Sequence, residues 1–148
     1  MLLIILISLN LMLVGVAVLI HFETLYQLSN RLPDPLIHPR YRVLVGVCII
    51  LIAHVVEIWL FAAGYYGMLH IKGMGSLSGN ITELTLLECS YFSFITYTTV
   101  GYGDIVAHGY LRFLTGLEAL TGFVLITWSA SFLFLEMQKY WPGHRKQK

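Results

Sequence analysis

The segment Thr98-Thr99-Val100-Gly101-Tyr102-Gly103-Asp104 decides the fold of this chain. It joins a short apolar stretch, residues 86–98, to a long apolar stretch that begins at Leu111. Two glycines alternate with larger residues, and glycine tolerates the positive φ angles that a backbone of alternating handedness requires. Such a backbone is not helical, and within a membrane it must be buried in protein or line a watery cavity.

The composition around this segment is that of a membrane protein. Of 148 residues, 57% are hydrophobic and 11% are charged, and the net charge of +1 gives no indication of a nucleic-acid partner. Residues 1–22, 43–66 and 111–136 are long enough to cross a bilayer core, which takes roughly 20 residues. Residues 86–98 are too short to cross and are predicted to form a re-entrant helix, so we expect an all-α membrane protein with three transmembrane helices.

The distribution of basic residues predicts the orientation in the membrane. All lysines and arginines except Lys72 and Arg112 lie in residues 23–42, between the first and second spans, or in the tail, residues 137–148. Loops rich in these residues stay in the cytosol, so the N-terminus is predicted outside and the C-terminus inside, in the plasma membrane. A cleaved signal peptide is the alternative for residues 1–20, but no basic segment precedes the apolar run.

Two connecting segments are predicted to lack helical structure. Residues 23–42 contain Pro33, Pro35 and Pro39, which are expected to stop any helix. Residues 64–79 are rich in glycine and are predicted to form a flexible outer loop. Thr85 and Glu88 have the spacing of a capping box at the start of the re-entrant helix.

The sequence of residues 98–104, with a helix-sized stretch before it and a spanning stretch after it, resembles the pore module of potassium channels. The resemblance covers residues 43–136: outer helix 43–66, pore helix 86–98, filter 99–104 and inner helix 111–136. In such filters, rings of backbone carbonyls from four chains replace the hydration shell of the ion. The resemblance therefore implies a homotetramer with fourfold symmetry, and K⁺ as the permeant ion without any further cofactor.

Within the filter, the resemblance assigns a role to each residue. The carbonyls of Thr99, Val100, Gly101 and Tyr102 and the Thr99 hydroxyl would bind K⁺, with Gly103 completing the segment. Thr98 and Asp104 would support the filter, and Asp104 would be held by an aromatic residue of the pore helix. Many family members have Trp there, whereas this chain has Tyr91, whose hydroxyl still donates one hydrogen bond.

A second departure concerns Ile95, at a position where one bacterial branch has a glutamate paired with the filter aspartate. That pair cannot form in this chain.

One face of the inner helix is expected to line the cavity. At about 100° per residue this face carries the residues Phe123, Ile126, Thr127, Ala130 and Phe134. Phe134 is placed to form a hydrophobic constriction or an ordinary lipid contact. Gly122 aligns with the bending point of many such helices, although glycine also serves as a close-packing site between membrane helices.

Three ionisable residues fall within the spans: His54, Glu57 and Glu118. Such groups are costly in hydrocarbon and are expected to be paired. We predict that Glu57 and Glu118 bond the pore helix through Ser90, Ser93 or Tyr97, and that His54 confers pH sensitivity. A purely structural polar patch is the alternative.

The rival functions are weaker on sequence grounds. No span carries a basic residue at every third position, so an arginine-rich voltage sensor is not expected. No nucleophile and base pair, phosphate loop or metal-ligand motif suggests an enzyme, and no soluble ligand is indicated. Potassium transporters carry four degraded filter repeats in one chain, and a membrane adaptor would have no use for an intact filter.

The first helix has two possible arrangements, a brace in contact with lipids or an exchange with a neighbouring subunit.

Overall fold

A computed structural model describes residues 2–31, 39–81 and 83–140. Its elements are α1 (Leu2–Arg31), α2 (Pro39–Leu69), β1 (Gly75–Gly79), α3 (Leu86–Tyr97), β2 (Ile105–Gly109) and α4 (Leu111–Tyr140). Three helices within the described part are long and apolar enough to cross a membrane, over Leu3–Arg31, Tyr41–Leu69 and Leu111–Gln138. The predicted membrane protein with three spanning helices is confirmed.

The re-entrant helix α3 packs against two of the spanning helices, α2 and α4. Its 12 residues extend about 18 Å, well short of a bilayer core of about 30 Å. The N-cap residue is Thr85, whose hydroxyl accepts a hydrogen bond from the Glu88 amide at 3.2 Å, which is one half of the predicted capping box. The Thr85 amide donates to the Glu83 carbonyl at 3.0 Å instead of to the Glu88 carboxylate. α3 packs against both α2 and α4, and the core between them contains the fully buried side chains of Phe61, Tyr97 and Leu114.

The first two helices are longer than predicted. α1 continues past residue 22 to Arg31, and α2 begins at Pro39, so most of the expected linker 23–42 is helical. Pro39 begins a helix rather than stopping one, because the first helical position needs no amide hydrogen. The extension of α1 is stabilised by Leu25 and Leu28, which are buried with Ile50 of α2. Pro33 and Pro35 lie outside the described residues.

The expected flexible loop 64–79 is also wrong. α2 continues to Leu69 with Tyr65 and Met68 fully buried, and β1 then pairs antiparallel with β2. A Cβ on Gly75 would lie 2.1 Å from the His108 carbonyl oxygen of β2, and a Cβ on Gly79 would lie 2.0 Å from the Asp104 carbonyl oxygen just before β2, so these glycines allow close strand pairing. The two-stranded sheet is an addition to the predicted all-α fold.

α1 packs on its own chain, against α2 and α4. Ala17 is fully buried, and Leu13 of α1 contacts the backbone of α2 at Gly64, where an added Cβ would lie 2.5 Å from Leu13 Cδ1. The opposite surface of α1 leaves large apolar side chains exposed, among them Ile4 and Leu11. These contacts are the ones expected of a brace with a lipid-facing side.

The inner helix α4 also exceeds its predicted bounds, running past residue 136 to Tyr140. Residues 141–148 of the predicted tail lie outside the described part of the chain.

Candidate functional site

The site begins where α3 ends. Thr98 caps the helix, and its amide and hydroxyl both donate to the Phe94 carbonyl, at 3.2 and 2.6 Å. Two further backbone hydrogen bonds attach the following residues to the last turn of the helix. The Thr99 amide donates to the Thr96 carbonyl at 2.9 Å, and the Gly101 amide donates to the Ile95 carbonyl at 3.0 Å. The start of the filter segment is therefore fixed to the C-terminus of the pore helix.

The backbone of the filter segment alternates in handedness. Gly101 and Gly103 have φ angles of 53° and 78°, whereas Val100 and Tyr102, which precede them, are not in the left-handed region. The alternation begins before the first glycine, at Thr99, which has a φ of 58°. Thr99 is the one non-glycine residue of the described chain with a positive φ, a conformation that is uncommon outside glycine and is often found at functional sites.

The side chains of this segment find little cover within their own chain. Val100 is 54% exposed and Tyr102 is 73% exposed. Beside them runs an open groove of about 520 Å³ between the end of α3, the filter and the start of α4, lined in part by Phe92, Ile95 and Ala119. The arrangement leaves an apolar surface at the level of the filter.

Asp104 is held by the pore helix, as the resemblance implied. The Tyr91 hydroxyl donates to Asp104 Oδ2 at 2.7 Å, and this hydrogen bond is the main cause that raises the pKa of the Tyr91 phenol. The other carboxylate oxygen, Oδ1, is buried without a hydrogen-bond partner in the chain. Ile95 has an apolar side chain and cannot donate a hydrogen bond to this oxygen.

The residues expected to line the cavity share one face of α4 and are all exposed in the single chain. Phe123 is 58% exposed and Phe134 is 60% exposed, and the same surface carries Ile126, Thr127 and Ala130. Gly122 lies on another face, where a Cβ would be 2.1 Å from the Tyr97 carbonyl oxygen. Gly122 is therefore a close-packing site between helices, one of the two roles considered for it. The hinge role stays a prediction.

Glu118 points away from that surface and is fully buried behind α3. One carboxylate oxygen accepts a hydrogen bond from Tyr65 at 2.6 Å, and the other is hydrogen-bonded to the Ser93 hydroxyl of α3. Ser93 also lies 2.8 Å from the Ile58 carbonyl, so it joins α2, α3 and α4. Ser90 instead donates to the Leu87 carbonyl within its own helix.

Glu57 is the centre of a second buried cluster. The Tyr97 hydroxyl of α3 donates to Glu57 Oε2, and His54 Nδ1 lies 3.0 Å from the same oxygen. His21 of α1 places its Nδ1 3.0 Å from Oε1. The predicted contacts of both glutamates with α3 are thus present, whereas the regulatory role of His54, Glu57 and Glu118 stays a prediction.

Sequence reasoning missed two members of this cluster. Ser129 of α4 places its hydroxyl oxygen 3.1 Å from His21 Nε2 and 3.2 Å from His54 Nε2, and the two imidazole rings stack 5.2 Å apart. His21 is a polar residue inside an apolar span, and that signal alone could have marked it for pairing. Ser129 carries no such signal, because serine is common in membrane helices.

Comparison with known proteins adds two matches. The family model described as "Ion channel" matches residues 53–139, which include α3, the filter and nearly all of α4. The calcium-activated potassium channel slowpoke of Drosophila melanogaster is 33% identical over 76 residues. That alignment covers 51% of this chain but 6% of the relative, so the chain spans a small part of that protein's length. No solved structure matches the chain.

Proposed function

Because this chain belongs to the ion channel family, we propose that it is one subunit of a tetrameric, potassium-selective channel that conducts passively and is not gated by a voltage sensor. The alternating handedness at Thr99, Gly101 and Gly103 is the observation that carries this proposal. A backbone of this kind can direct successive carbonyls to one side, where they replace the water around a dehydrated cation. The K⁺ ligands would be the carbonyls of residues 99–102 and the Thr99 hydroxyl.

The tetramer follows from the number of filters and from the surface around them. Each chain contributes one filter segment, so a closed ring of carbonyls requires several copies related by cyclic symmetry. The exposed Val100 and Tyr102 and the adjacent groove offer an apolar surface on which a neighbouring copy can pack. The unpartnered Asp104 Oδ1 supports the same arrangement, because a buried acceptor usually has a partner.

The remaining parts of the pore extend the proposal. Phe123, Ile126, Thr127 and Ala130 would line the cavity below the filter, and Phe134 would narrow its inner end. The chain would lie in the plasma membrane with α1 starting outside, and lipid would contact the exposed apolar side of α1. We assign no enzymatic activity to it.

The proposal is tested with purified protein in liposomes. We expect Rb⁺ and K⁺ uptake driven by a K⁺ gradient, with Na⁺ flux at least about 100-fold lower, and four chains per particle by mass measurement in detergent. Equal Na⁺ and K⁺ flux would contradict potassium selectivity. Absence of flux from a correctly assembled tetramer would favour a membrane adaptor, and any other number of chains would contradict the fourfold pore.

A further inference from the structure

We propose that His21, His54 and Glu57 form a binding site for a divalent transition-metal ion of the zinc type, buried between α1 and α2 behind the pore helix. The candidate ligand atoms of these three residues all lie within 4.8 Å of one another. His21 and Glu57 are fully buried, and the His54 side chain is 13% exposed. Two imidazoles and one carboxylate are a common zinc ligand set, with the fourth position left to a further group.

The distances fit a metal centre. Nδ1 of each imidazole lies 3.0 Å from a different oxygen of the Glu57 carboxylate. Zinc bonds of about 2.0–2.2 Å in a tetrahedral arrangement separate neighbouring ligand atoms by about 3.3 Å. Because the ligand atoms here lie within 4.8 Å of one another, side-chain adjustments would bring them to that spacing. The Tyr97 oxygen lies 3.0 Å from His54 Nδ1, so it borders the fourth position.

The surroundings of the ligands match those of known metal sites. A histidine that binds metal through one ring nitrogen donates the other N–H to an oxygen, which fixes the ring and its tautomer. Here both Nε2 atoms meet the Ser129 oxygen, at 3.1 and 3.2 Å. A hydroxyl oxygen has two lone pairs, so Ser129 can accept from both rings once a metal occupies the two Nδ1 atoms.

Charge favours the same occupant. The hydrogen-bond partners of Glu57 are the two imidazoles and the Tyr97 phenol, with no lysine or arginine among them. A carboxylate at membrane depth is costly unless a positive charge accompanies it. A divalent cation supplies that charge and would connect α1 to α2, with Tyr97 extending the connection to α3 and Ser129 to α4.

The site is tested on the purified protein in detergent, with any affinity tag removed and metals stripped by a chelator. Co²⁺ is the probe, because tetrahedral coordination gives it intense visible absorption, and Zn²⁺ is the competitor. We expect one Co²⁺ per chain, displaced by Zn²⁺. His21→Gln should weaken binding at least about tenfold, whereas the control His70→Gln, at the exposed outer end of α2, should leave it unchanged.

A second pair of variants keeps all three ligands. Ser129→Ala removes the shared acceptor and should weaken Co²⁺ binding about tenfold, whereas Ser131→Ala, whose hydroxyl bonds the Thr127 carbonyl, should not. Absence of saturable binding, or equal binding in wild type, His21→Gln and Ser129→Ala, would overturn the proposal and leave only a hydrogen-bonded cluster. Binding is measured without ion flux, so its failure is distinct from failure of the proposed channel function.

Discussion

The two sides of the pore helix are built in opposite ways. On the filter side, Tyr91 and residues 98–104 are largely exposed, and they are held by the Tyr91–Asp104 side-chain bond and by a few bonds to backbone carbonyls at the two ends of the segment. On the buried side, Ser93 and Tyr97 are hydrogen-bonded to Glu118 and Glu57 of the spanning helices. The filter side thus depends on backbone conformation and, in the proposed tetramer, on neighbouring chains, whereas the buried side fixes the position of α3 within its own chain.

The largest effect is expected from changing the backbone preference of the filter. Gly101→Ala places a side chain at a φ of 53°, which costs roughly 1–2 kcal/mol per chain and is repeated in every subunit. Nothing lies within 4 Å of the added Cβ, so the effect is conformational rather than steric within the chain. We expect K⁺ flux to fall at least about 100-fold while the protein still assembles, as measured by liposome uptake and by mass.

The control for this change is Gly67→Ala, at an exposed helical glycine of α2 that also has open space around it. It should leave flux close to that of wild type. Normal selective flux in Gly101→Ala would show that the filter side does not depend on left-handed backbone at this position.

A packing change on the buried side is expected to have the next largest effect. Gly122→Ala would place a methyl group 2.1 Å from the Tyr97 carbonyl oxygen, and neither backbone can move freely. Overpacking of this kind costs typically 1–3 kcal/mol, so we expect a clear loss of thermal stability in detergent. Stability equal to that of Gly67→Ala would mean that α4 separates from α3 without cost, as the hinge role of Gly122 would require.

Removal of one buried acceptor should have a smaller effect. In Glu118→Gln an NH2 group, which donates and does not accept, replaces one of the two carboxylate oxygens, so either Tyr65 or Ser93 loses its acceptor on this side chain. An unsatisfied buried hydroxyl costs about 1–3 kcal/mol. We expect lower thermal stability and altered single-channel open probability, with Glu83→Gln at an exposed position as the control. Unchanged open probability would reduce Glu118 to a structural role.

The smallest effect is expected from Tyr91→Phe, which removes the exposed hydrogen bond to Asp104. Assembly should be normal and the K⁺ current should decline faster during prolonged opening. In wild type the pKa of Tyr91 is raised above its ordinary value of 10.0, chiefly by this bond. The phenol therefore keeps its proton, and can donate this bond, at neutral and mildly alkaline pH and loses it only as the pH rises through the raised value, so currents at neutral and mildly alkaline external pH should decline alike.

The filter side was the more predictable from sequence, and the reason is physical. Residues 98–104 adopt their conformation through local backbone preferences, which the glycine spacing displays directly, although the positive φ of Thr99 has no such signal. The contacts of Glu57 and Glu118 with α3 were also predictable, because helical periodicity and the cost of a buried charge limit where a carboxylate can point.

What escaped prediction depends on how distant segments meet. His21 and Ser129 are 108 residues apart and come together only because α1 crosses both α2 and α4. The pairing of β1 with β2 was hidden by glycines that suggest flexibility in isolation but permit close contact between strands. The extra turns of α1 and α2 arise from tertiary burial, which outweighs the local effect of a proline-rich connection.

The pairing of β1 with β2 has a consequence for the order in which the proposed tetramer would assemble. Gly79 is paired with Ile105, and the Asn80 amide donates to the Asp104 carbonyl at 2.9 Å. The two ends of residues 80–104 are therefore hydrogen-bonded to each other. The β1–β2 pairing therefore offsets the entropic cost of closing this loop within a single chain, before chains associate. In the proposed tetramer, four such preformed loops would then only have to be brought together, and exchanging this insert with that of another channel would require matching a single pair of ends.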